Sequence, residues 1–462
     1  MAIWDNSTFK SVTQELTDTL RRGLDQHVRL AVTGLSQAGK TAFITSLTDQ
    51  LLHGTPRQLP FFPAMAEGRY RGAREQPQPH PLVPRFRYRD NHAALVGEPP
   101  HWAPSTSGIS ELRLELKYQP DSGLRSWLGD SATLTLDIVD YPGEWLLDLD
   151  LLGQDYQQWS ERQQALLTAA PRQALAADWL AQAQQCCDAN QLDDAAVDQL
   201  AAGYAALLAR FRQELGLYYL QPGRFLLPGE LKGAPVLAFF PWPGTATDGP
   251  LYQRLQATFE QYKQDVVRRF YRDHFAKIDR QVVLVDTLAA LNHSRAAFLD
   301  LQQALTQVLH SFHYGQSNLL KRLFSPRIDK VLFAATQADR LTPDQRPALT
   351  SLLRQLIGPA LEPIRFAGID VGVETLAAIA ATEAGHAEQG GEKLPCLRGH
   401  LHNGEAVTLF PGDVPSQLPG SAFWQQQGFD FPDFAPPPGL ASPLPHLRMD
   451  KALAFLLGDK LA

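Results

Sequence analysis

One stretch of the chain, GLSQAGKT at residues 34–41, constrains the fold more than any other. It matches the pattern G-x-x-x-x-G-K-[ST]; the apolar run VRLAVTG leads into it, and KTAFITSLTDQLL follows with helical spacing. A strand, a glycine-rich turn and a helix in this order are typical of a phosphate-binding loop. The sequence therefore predicts an α/β fold of the P-loop NTPase type, with the loop at the carboxyl end of a buried strand.

The residue types of the loop suit the phosphates of a nucleotide. Gly34 and Gly39 allow backbone conformations that turn N–H groups inward, and the helix that starts near Lys40 adds its positive end. Lys40 is predicted to contact the β- and γ-phosphates, and the Thr41 hydroxyl to ligate Mg²⁺. The predicted phosphate-binding residues are Ser36, Gln37, Ala38, Gly39, Lys40, Thr41 and Ala42.

Further strands are predicted from the hydrophobic pattern. Two segments with period-2 alternation, 111–118 and 133–140, predict an antiparallel hairpin. A short alternating segment, 85–89, lies in the Pro- and Arg-rich stretch before it. Later apolar runs predict three more strands, in QVVLVDT, KVLFAATQAD and TLAAIAATEA, the last at 375–384. Buried strands separated by helices indicate a mostly parallel sheet with helices on both faces.

Composition divides the chain into four parts. Residues 1–143 would form the N-terminal part of the core, beginning with an amphipathic helix over 6–24. Residues 144–280 are predicted to be a mainly helical insertion, and 281–384 the C-terminal part of the core with its base-recognition strand. Residues 385–462 form a Pro/Gly-rich extension that ends in a closing helix.

A second phosphate-facing element is predicted at the end of strand 133–140. Asp140 to Gly143 form D-x-x-G, in which the aspartate reaches Mg²⁺ through water and the glycine amide contacts the γ-phosphate; the same letters are also an ordinary turn signal. Glu144 follows, where many GTPases carry glutamine. We consider Glu144 as a catalytic residue that accepts a proton from water, or alternatively as a helix N-terminal charge that faces solvent.

A nucleotide switch also needs a hydroxyl that ligates Mg²⁺ only while the γ-phosphate is present. It should precede the strand antiparallel to 133–140, where WAPSTSGISELRL offers Ser105, Thr106 and Ser107. We favour Thr106, and the alternative is that these hydroxyls only cap turns.

Base recognition is predicted at the segment FAATQAD. Guanine presents N1–H and N2–H₂ to a bidentate carboxylate, with bonds worth about 1.5–3 kcal/mol each, and Asp339 fits this role. The usual pattern is Asn/Thr-Lys-x-Asp, so Gln337 lacks the usual cation and should weaken guanine binding. The alternative for Asp339 is an ordinary turn aspartate. In AAIAATE (377–383), Ala380 and Ala381 are candidates for a backbone contact with guanine O6.

Several motifs together resemble one family. GLSQAGKTAFITSL, DIVDYPGEWLLDL, FAATQADRL, IAATEA and MDKALAFLLGDKL are similar to those of the YcjX-like P-loop NTPases of bacteria. The resemblance covers nearly the whole chain and implies a Ras-like GTPase core with large insertions, binding of GTP/GDP with Mg²⁺, hydrolysis, and a role in envelope or heat stress. It also implies a membrane protein as a partner, since the family is often encoded beside one. Many relatives carry lysine at the position of Gln337, which leaves the nucleotide preference open.

Charge and cysteine content narrow the functional class. A net charge of −7 argues against a general grip on nucleic acid or anionic lipid. The three cysteines, Cys186, Cys187 and Cys396, have neither the pattern of a disulfide framework nor a zinc-ligand spacing. No apolar run approaches about 18 residues, and the start lacks a signal-peptide layout. We expect a cytoplasmic protein that reaches the inner membrane only through a partner, without inserting into it.

Three functions remain open from the sequence. The first is a GTP-hydrolysing switch that signals through its insertions to a protein partner. The others are a nucleotide-binding scaffold with negligible turnover and an ATP-using P-loop NTPase or kinase, although no acceptor site or basic lid of a kinase is recognisable. A transition-state arginine would come from a partner or from the segment before the hairpin, which offers Arg69, Arg71, Arg85 and Arg87.

Overall fold

A seven-stranded sheet forms the centre of the protein. The structure, a computed structural model, describes residues 26–35, 37–104, 108–121, 131–189, 193–244, 247–312, 328–389, 391–426 and 432–462. The strands of the sheet are β1 (Gln26–Gly34), β2 (Tyr70–Gln76), β3 (Ser110–Tyr118), β4 (Ala132–Asp140), β5 (Arg280–Val285), β6 (Lys330–Ala335) and β7 (Asp370–Thr375). The helix expected over 6–24 lies outside the described residues.

The strands lie in the order β2-β3-β4-β1-β5-β6-β7. β4, β1, β5, β6 and β7 are parallel to one another, whereas β3 is antiparallel to β4, and β2 to β3. The predicted hairpin is therefore confirmed, and so is the mostly parallel sheet of a Ras-like P-loop NTPase.

Helices cover both faces of the sheet. The helices of nine or more residues are α1 (Lys40–His53), α2 (Tyr88–Val96), α3 (Tyr156–Leu167), α4 (Gln173–Ala189), α5 (Asp194–Leu215), α6 (Pro250–Tyr262), α7 (Arg295–Ser311), α8 (Arg346–Phe366) and α9 (Met449–Leu457). Shorter helices span Pro63–Ala66, Glu144–Leu147, Gly223–Leu226, Arg268–Asp273, Thr287–His293 and Phe423–Gln426.

Alternate residues of each strand face two separate cores, as the pleat of a strand requires. In β5, Val282 and Leu284 belong to one core, while Val283 and Val285 belong to the other. The first core includes α1 and the closing helix α9, and the second includes α3 to α8. Burial on both faces explains why the central strands are continuous apolar runs in the sequence.

The region between β4 and β5 is a helical lobe packed around aromatic side chains. Trp159 is fully buried; its ring stacks on Phe259 at 5.1 Å between centroids and contacts Tyr204 and Phe239 edge-on. The longest helix of this lobe, α5, begins at an Asp193 cap and ends at Gly216 in the left-handed conformation. The lobe is therefore a packed unit rather than an extended loop.

One expectation about a strand is wrong, and a second alternating segment is also not a strand. The run 375–384 is not one strand of the central sheet: β7 ends at Thr375, and residues 376–381 form a loop in which Ala377 bridges to Leu447. Thr382 then begins a strand of a second sheet. The alternating segment 85–89 contains one isolated bridge at Arg85 and then the start of α2. In both places the apolar side chains are buried by distant parts of the chain, so their pattern is not that of a strand.

The C-terminal extension adds a second, three-stranded antiparallel sheet. Its strands are β8 (Thr382–Gln389), β9 (Glu392–His400) and β10 (Ala406–Leu409), in the order β10-β9-β8. β8 starts directly after the loop that follows β7, so this sheet is connected to the central sheet at the carboxyl end of β7.

Candidate functional site

The glycine-rich loop has the conformation that phosphate binding requires. Gln37 and Gly39 adopt positive φ values of 63° and 81°, and α1 begins at Lys40. Successive residues that alternate in this way point their backbone N–H groups into one concavity. The Lys40 ammonium donates to the Gly34 carbonyl oxygen at 3.4 Å. Ser36, also expected here, lies outside the described residues.

One cavity of about 470 Å³ joins this loop to the expected base-recognition segment. A volume of this size suits a small-molecule ligand. From the loop and α1 it is lined by Gln37, Ala38, Gly39, Lys40, Thr41, Ala42 and Thr45, and at the other end by Thr336, Gln337, Asp339, Arg340, Ala377, Ala378, Ile379 and Ala381. The fold thus brings together residues about 300 positions apart, because both segments follow parallel strands of one sheet.

Asp339 is held at the base end of the cavity. Its carboxylate accepts the Ala381 N–H at 2.8 Å, and its backbone carbonyl accepts the Thr382 hydroxyl. Burial raises the pKa of the Asp339 carboxyl, although the Ala381 hydrogen bond opposes this shift. A buried carboxylate that is oriented in this way can accept two hydrogen bonds from a base edge.

Gln337 occupies the position where the usual pattern has a cation. Its φ of 59° places it in the left-handed region, and its side-chain amide donates to the Asp286 carboxylate at 3.0 Å. Asp286 follows β5, and burial raises the pKa of its carboxyl. The amide of Gln337 therefore joins the ends of two neighbouring strands beside the cavity.

The expected contact of Ala380 with guanine O6 is not supported. The Ala380 N–H donates to the Pro445 carbonyl oxygen at 2.8 Å, and the Ala381 N–H is used by Asp339. Ala381 lines the cavity, as do Ala378 and Ile379, whereas Ala380 does not. Because the C-terminal segment around Pro445 fixes this loop, the sequence of the loop alone could not show which amides face the cavity.

The candidate metal-binding oxygens lie beside the loop. Asp140 ends β4, opposite Val32 of β1, and is 1% exposed. Thr41 donates from its hydroxyl to the Pro104 carbonyl oxygen at 3.4 Å. A carboxylate and a hydroxyl are oxygen ligands that suit Mg²⁺. Thr106 lies outside the described residues, but Pro104 shows that the chain approaches Thr41 just before it.

Gly143 packs directly on the glycine-rich loop. Its N–H donates to the Gly34 carbonyl oxygen at 3.3 Å, and a Cβ added to it would lie 2.9 Å from the same oxygen. Only glycine fits this close approach. The D-x-x-G element therefore touches the loop, with its amide bonded to the loop backbone.

Glu144 neither faces solvent nor lines the cavity. It is 1% exposed, and its Oε1 atom pairs with Nη2 of Arg212 on α5 at 3.3 Å. The Arg212 guanidinium lies over the Tyr218 ring at 4.9 Å, and its Nε and Nη1 atoms are buried with no hydrogen-bond partner among the described residues. The helical lobe thus pairs with the residue beside the D-x-x-G element, and no pattern in the sequence indicates this contact.

The four arginines considered for catalysis lie in two different places. Arg69 donates to the Gln119 and Leu461 carbonyl oxygens, and Arg71 to the Gln119 side chain. Arg85 pairs with Glu75 at 2.6 Å. Together with Arg87, Arg85 lines a second cavity of about 1030 Å³, which Thr41 also borders.

Arg224 is a further arginine at that second cavity. It is 6% exposed, and its guanidinium lies 3.2 Å from the centroid of the Trp145 ring. Trp145 follows Glu144 in the sequence. Burial lowers the pKa of Arg224. Its backbone N–H and that of Gly223 donate to the Asp148 carboxylate at 3.2 and 2.7 Å. A second arginine of the lobe therefore contacts the segment after the D-x-x-G element.

Comparison with known proteins now identifies the family. The family model described as the YcjX-like family matches residues 28–461. The chain belongs to the YcjX-like family. It is 46% identical over 466 residues to the Ras-like GTPase YcjX of Escherichia coli (strain K12), covering 98% of this chain and all of that protein.

A second relative gives the same result. The Ras-like GTPase YcjX of Shewanella oneidensis is 41% identical over 485 residues, with all of both chains covered. Membership of the YcjX-like family agrees with the sheet order and with the cavity at the carboxyl ends of the strands, so the chain is a GTPase-like P-loop protein. In the part of the chain that the structure describes, no helix is long and apolar enough to span a membrane.

Proposed function

We propose that this protein is a Mg²⁺-dependent, GTP-hydrolysing switch of the bacterial stress response that signals to a protein partner. The observation that carries the proposal is the single cavity with Lys40 and Gly39 at one end and Asp339 at the other. This arrangement suits a nucleoside triphosphate whose base presents hydrogen-bond donors to a carboxylate. The names of both relatives support guanine as that base.

The phosphates would be bound by the loop amides and the Lys40 ammonium. Thr41 and Asp140, with Thr106 of the neighbouring segment, would hold Mg²⁺, which neutralises the charge that develops on the phosphate oxygens. The Gly143 amide would exchange its bond to the Gly34 carbonyl for a bond to the γ-phosphate.

The helical lobe is the proposed route of the signal. Arg212 contacts Glu144, and Arg224 contacts Trp145, so both residues that follow Gly143 are in contact with the lobe. A shift of Gly143 toward the γ-phosphate would change these two contacts. The partner, for which we propose a membrane protein, would then bind to the lobe in one of its two positions.

A second candidate, a nucleotide-binding scaffold with negligible turnover, is favoured by one observation. Glu144 is paired with Arg212 and does not line the cavity, so no acidic residue at this position faces the phosphates. In that case the nucleotide would organise the fold of the site without being consumed.

The test measures binding and phosphate release with purified full-length protein, GTP, ATP and Mg²⁺. The switch proposal expects guanine preference of about tenfold or more and Mg²⁺-dependent release of phosphate from GTP. Tight GTP binding without release would favour the scaffold. A clear preference for ATP would contradict the role of Asp339 and favour an ATP-using NTPase or kinase.

A further inference from the structure

The C-terminal extension contributes to the wall of the cavity. His402, Asp433 and Phe434 line the same cavity as Asp339 and Arg340. His402 lies in the turn that follows β9, and Phe434 belongs to a short segment that bridges antiparallel to Leu401. The sequence placed these residues in a separate extension, whereas the structure places them at the nucleotide cavity.

Phe434 is held firmly in this position. It is 3% exposed, and its ring lies against Gly399 of β9. A Cβ added to Gly399 would lie 2.6 Å from the Phe434 ring and 3.1 Å from the Thr382 methyl group. The Ala435 N–H also donates to the His400 carbonyl oxygen at 2.8 Å. A side chain at position 399 would therefore displace the aromatic ring.

Two contacts tie the extension to the rest of the site. The Trp102 indole N–H donates to the Phe434 carbonyl oxygen at 2.8 Å. Trp102 also lines the cavity and precedes the segment that approaches Thr41. On the base-recognition side, Arg340 pairs with Asp433 at 2.6 Å. The extension thus spans the cavity between the loop before β3 and the end of β6.

We propose that Phe434 and His402 form a base-binding subsite that covers the purine of a guanine nucleotide and slows its release. Asp339 binds the edge of the base, and an aromatic surface binds its face, because the π-face of a base stacks favourably on aromatic side chains. This subsite supplies contact area at the place where Gln337 lacks a cation. The proposal rests on the proposed binding of a guanine nucleotide.

The main test compares two glycine-to-alanine variants of the small sheet. Gly399→Ala forces the Phe434 ring to move, whereas in Gly385→Ala, on the neighbouring strand, the new methyl group would meet its nearest atoms at 3.7 Å or more. The measurement is the dissociation rate of fluorescently labelled GDP from the full-length protein. We expect Gly399→Ala to release GDP about tenfold faster, and Gly385→Ala to match the wild-type rate.

Two further variants keep the proposal testable if Gly399→Ala does not fold, which circular dichroism would show. Trp102→Phe keeps an aromatic ring but removes the donor to Phe434, and it should release GDP about threefold faster. His402→Ala removes an exposed side chain of the cavity wall and should also release GDP about threefold faster.

The outcomes separate this proposal from the proposed function. Wild-type release rates in the folded variants, with tight GDP binding by the wild type, would overturn the subsite and leave the switch proposal standing. No GDP binding by the wild type would overturn both. Faster release in Gly399→Ala and Trp102→Phe, with Gly385→Ala unchanged, would support the subsite.

Discussion

The two ends of the cavity to which we assign the nucleotide, a phosphate end and a base end, are built in opposite ways. The phosphate end comes from one continuous stretch, Gln37 to Ala42, which covers the turn after β1 and the start of α1. The base end is assembled from segments around Trp102, Asp339, Ala378 and Phe434, which lie far apart in the sequence. A site made from one segment can be recognised from its sequence motif, whereas a site made from several segments can be recognised only when the fold is known.

The largest effect on nucleotide affinity is expected from a substitution at the phosphate end. Lys40→Ala removes the cation that lines the cavity at the loop. In the proposed function its charged hydrogen bonds to two phosphates would contribute about 4 kcal/mol together. We expect GTP and GDP affinity to fall by about 1000-fold in titration calorimetry. The matched control is Lys393→Ala on the exposed part of β9, which should bind as the wild type does. Unchanged affinity in Lys40→Ala would exclude the loop as the phosphate site.

A slightly smaller effect should appear at the base end. Asp339→Asn replaces one carboxylate oxygen by an amide, which donates rather than accepts, so guanine loses about 3 kcal/mol and xanthine gains a partner. We expect GTP affinity to fall about 100-fold and XTP affinity to rise in competition binding. Asp344→Asn, five residues later and exposed, is the control. A variant with the wild-type base preference would remove Asp339 from base recognition.

The γ-phosphate side of the phosphate end depends on the lobe as well as on the loop. Arg212→Ala would leave Glu144 buried without its cation, which should lower the free energy of unfolding by about 2–3 kcal/mol. Arg210→Ala, on the exposed side of the same helix, is the matched control for denaturant unfolding. Adding Glu144→Gln to Arg212→Ala should restore part of the loss. No loss in Arg212→Ala would show that the lobe does not stabilise this segment.

A pH dependence tests the same connection through Asp148. Burial raises the pKa of its carboxyl from 3.8 to about 6, and the Tyr262 hydroxyl donates to it at 2.6 Å. The folded state therefore binds the proton more tightly than the unfolded chain does. The resulting stabilisation is present in full below about pH 4 and is lost as the pH rises through about 6.

Asp148→Asn removes this titration. The wild type should lose this stabilisation as the pH rises, whereas Asp148→Asn should not. The free energy of unfolding of Asp148→Asn minus that of the wild type should therefore rise by about 1–2 kcal/mol from pH 4.5 to pH 7.5. Denaturant unfolding at several pH values checks this slope. Parallel curves for the two proteins would show that Asp148 is ionised over the whole range.

The smallest effect is expected from a substitution that adds a cation at the base end. Gln337→Lys restores the usual cation and gives Asp286 a charged partner in place of the Gln337 amide. We expect GTP to bind about fivefold more tightly, or about 1 kcal/mol, with ATP affinity unchanged. Gln345→Lys, at the start of α8, controls for added charge. Equal or weaker GTP binding would mean that the base end does not lack a cation.

The sequence predicted those elements that residues close together in the chain determine. The loop, α1 and the hairpin of β3 and β4 follow from short patterns, and the structure agrees with each. The strand expected at 375–384 was wrong because distant residues hold this segment: Ala377 bridges to Leu447, and Ile379 packs with Leu444. Arg212 and Phe434 could not be found for the same reason, since each reaches the site from another part of the chain. The role of Thr106 stays a prediction.

The most direct measurement is a crystal structure of the full chain with Mg²⁺ and a non-hydrolysable GTP analogue. We expect the phosphates on the amides of residues 37–41 and on Lys40, the guanine edge about 3 Å from the Asp339 carboxylate, and Phe434 and His402 against the face of the base. Phosphates bound elsewhere, or a base directed away from Asp339, would contradict the claim that a single cavity binds both the phosphates and the base of a guanine nucleotide.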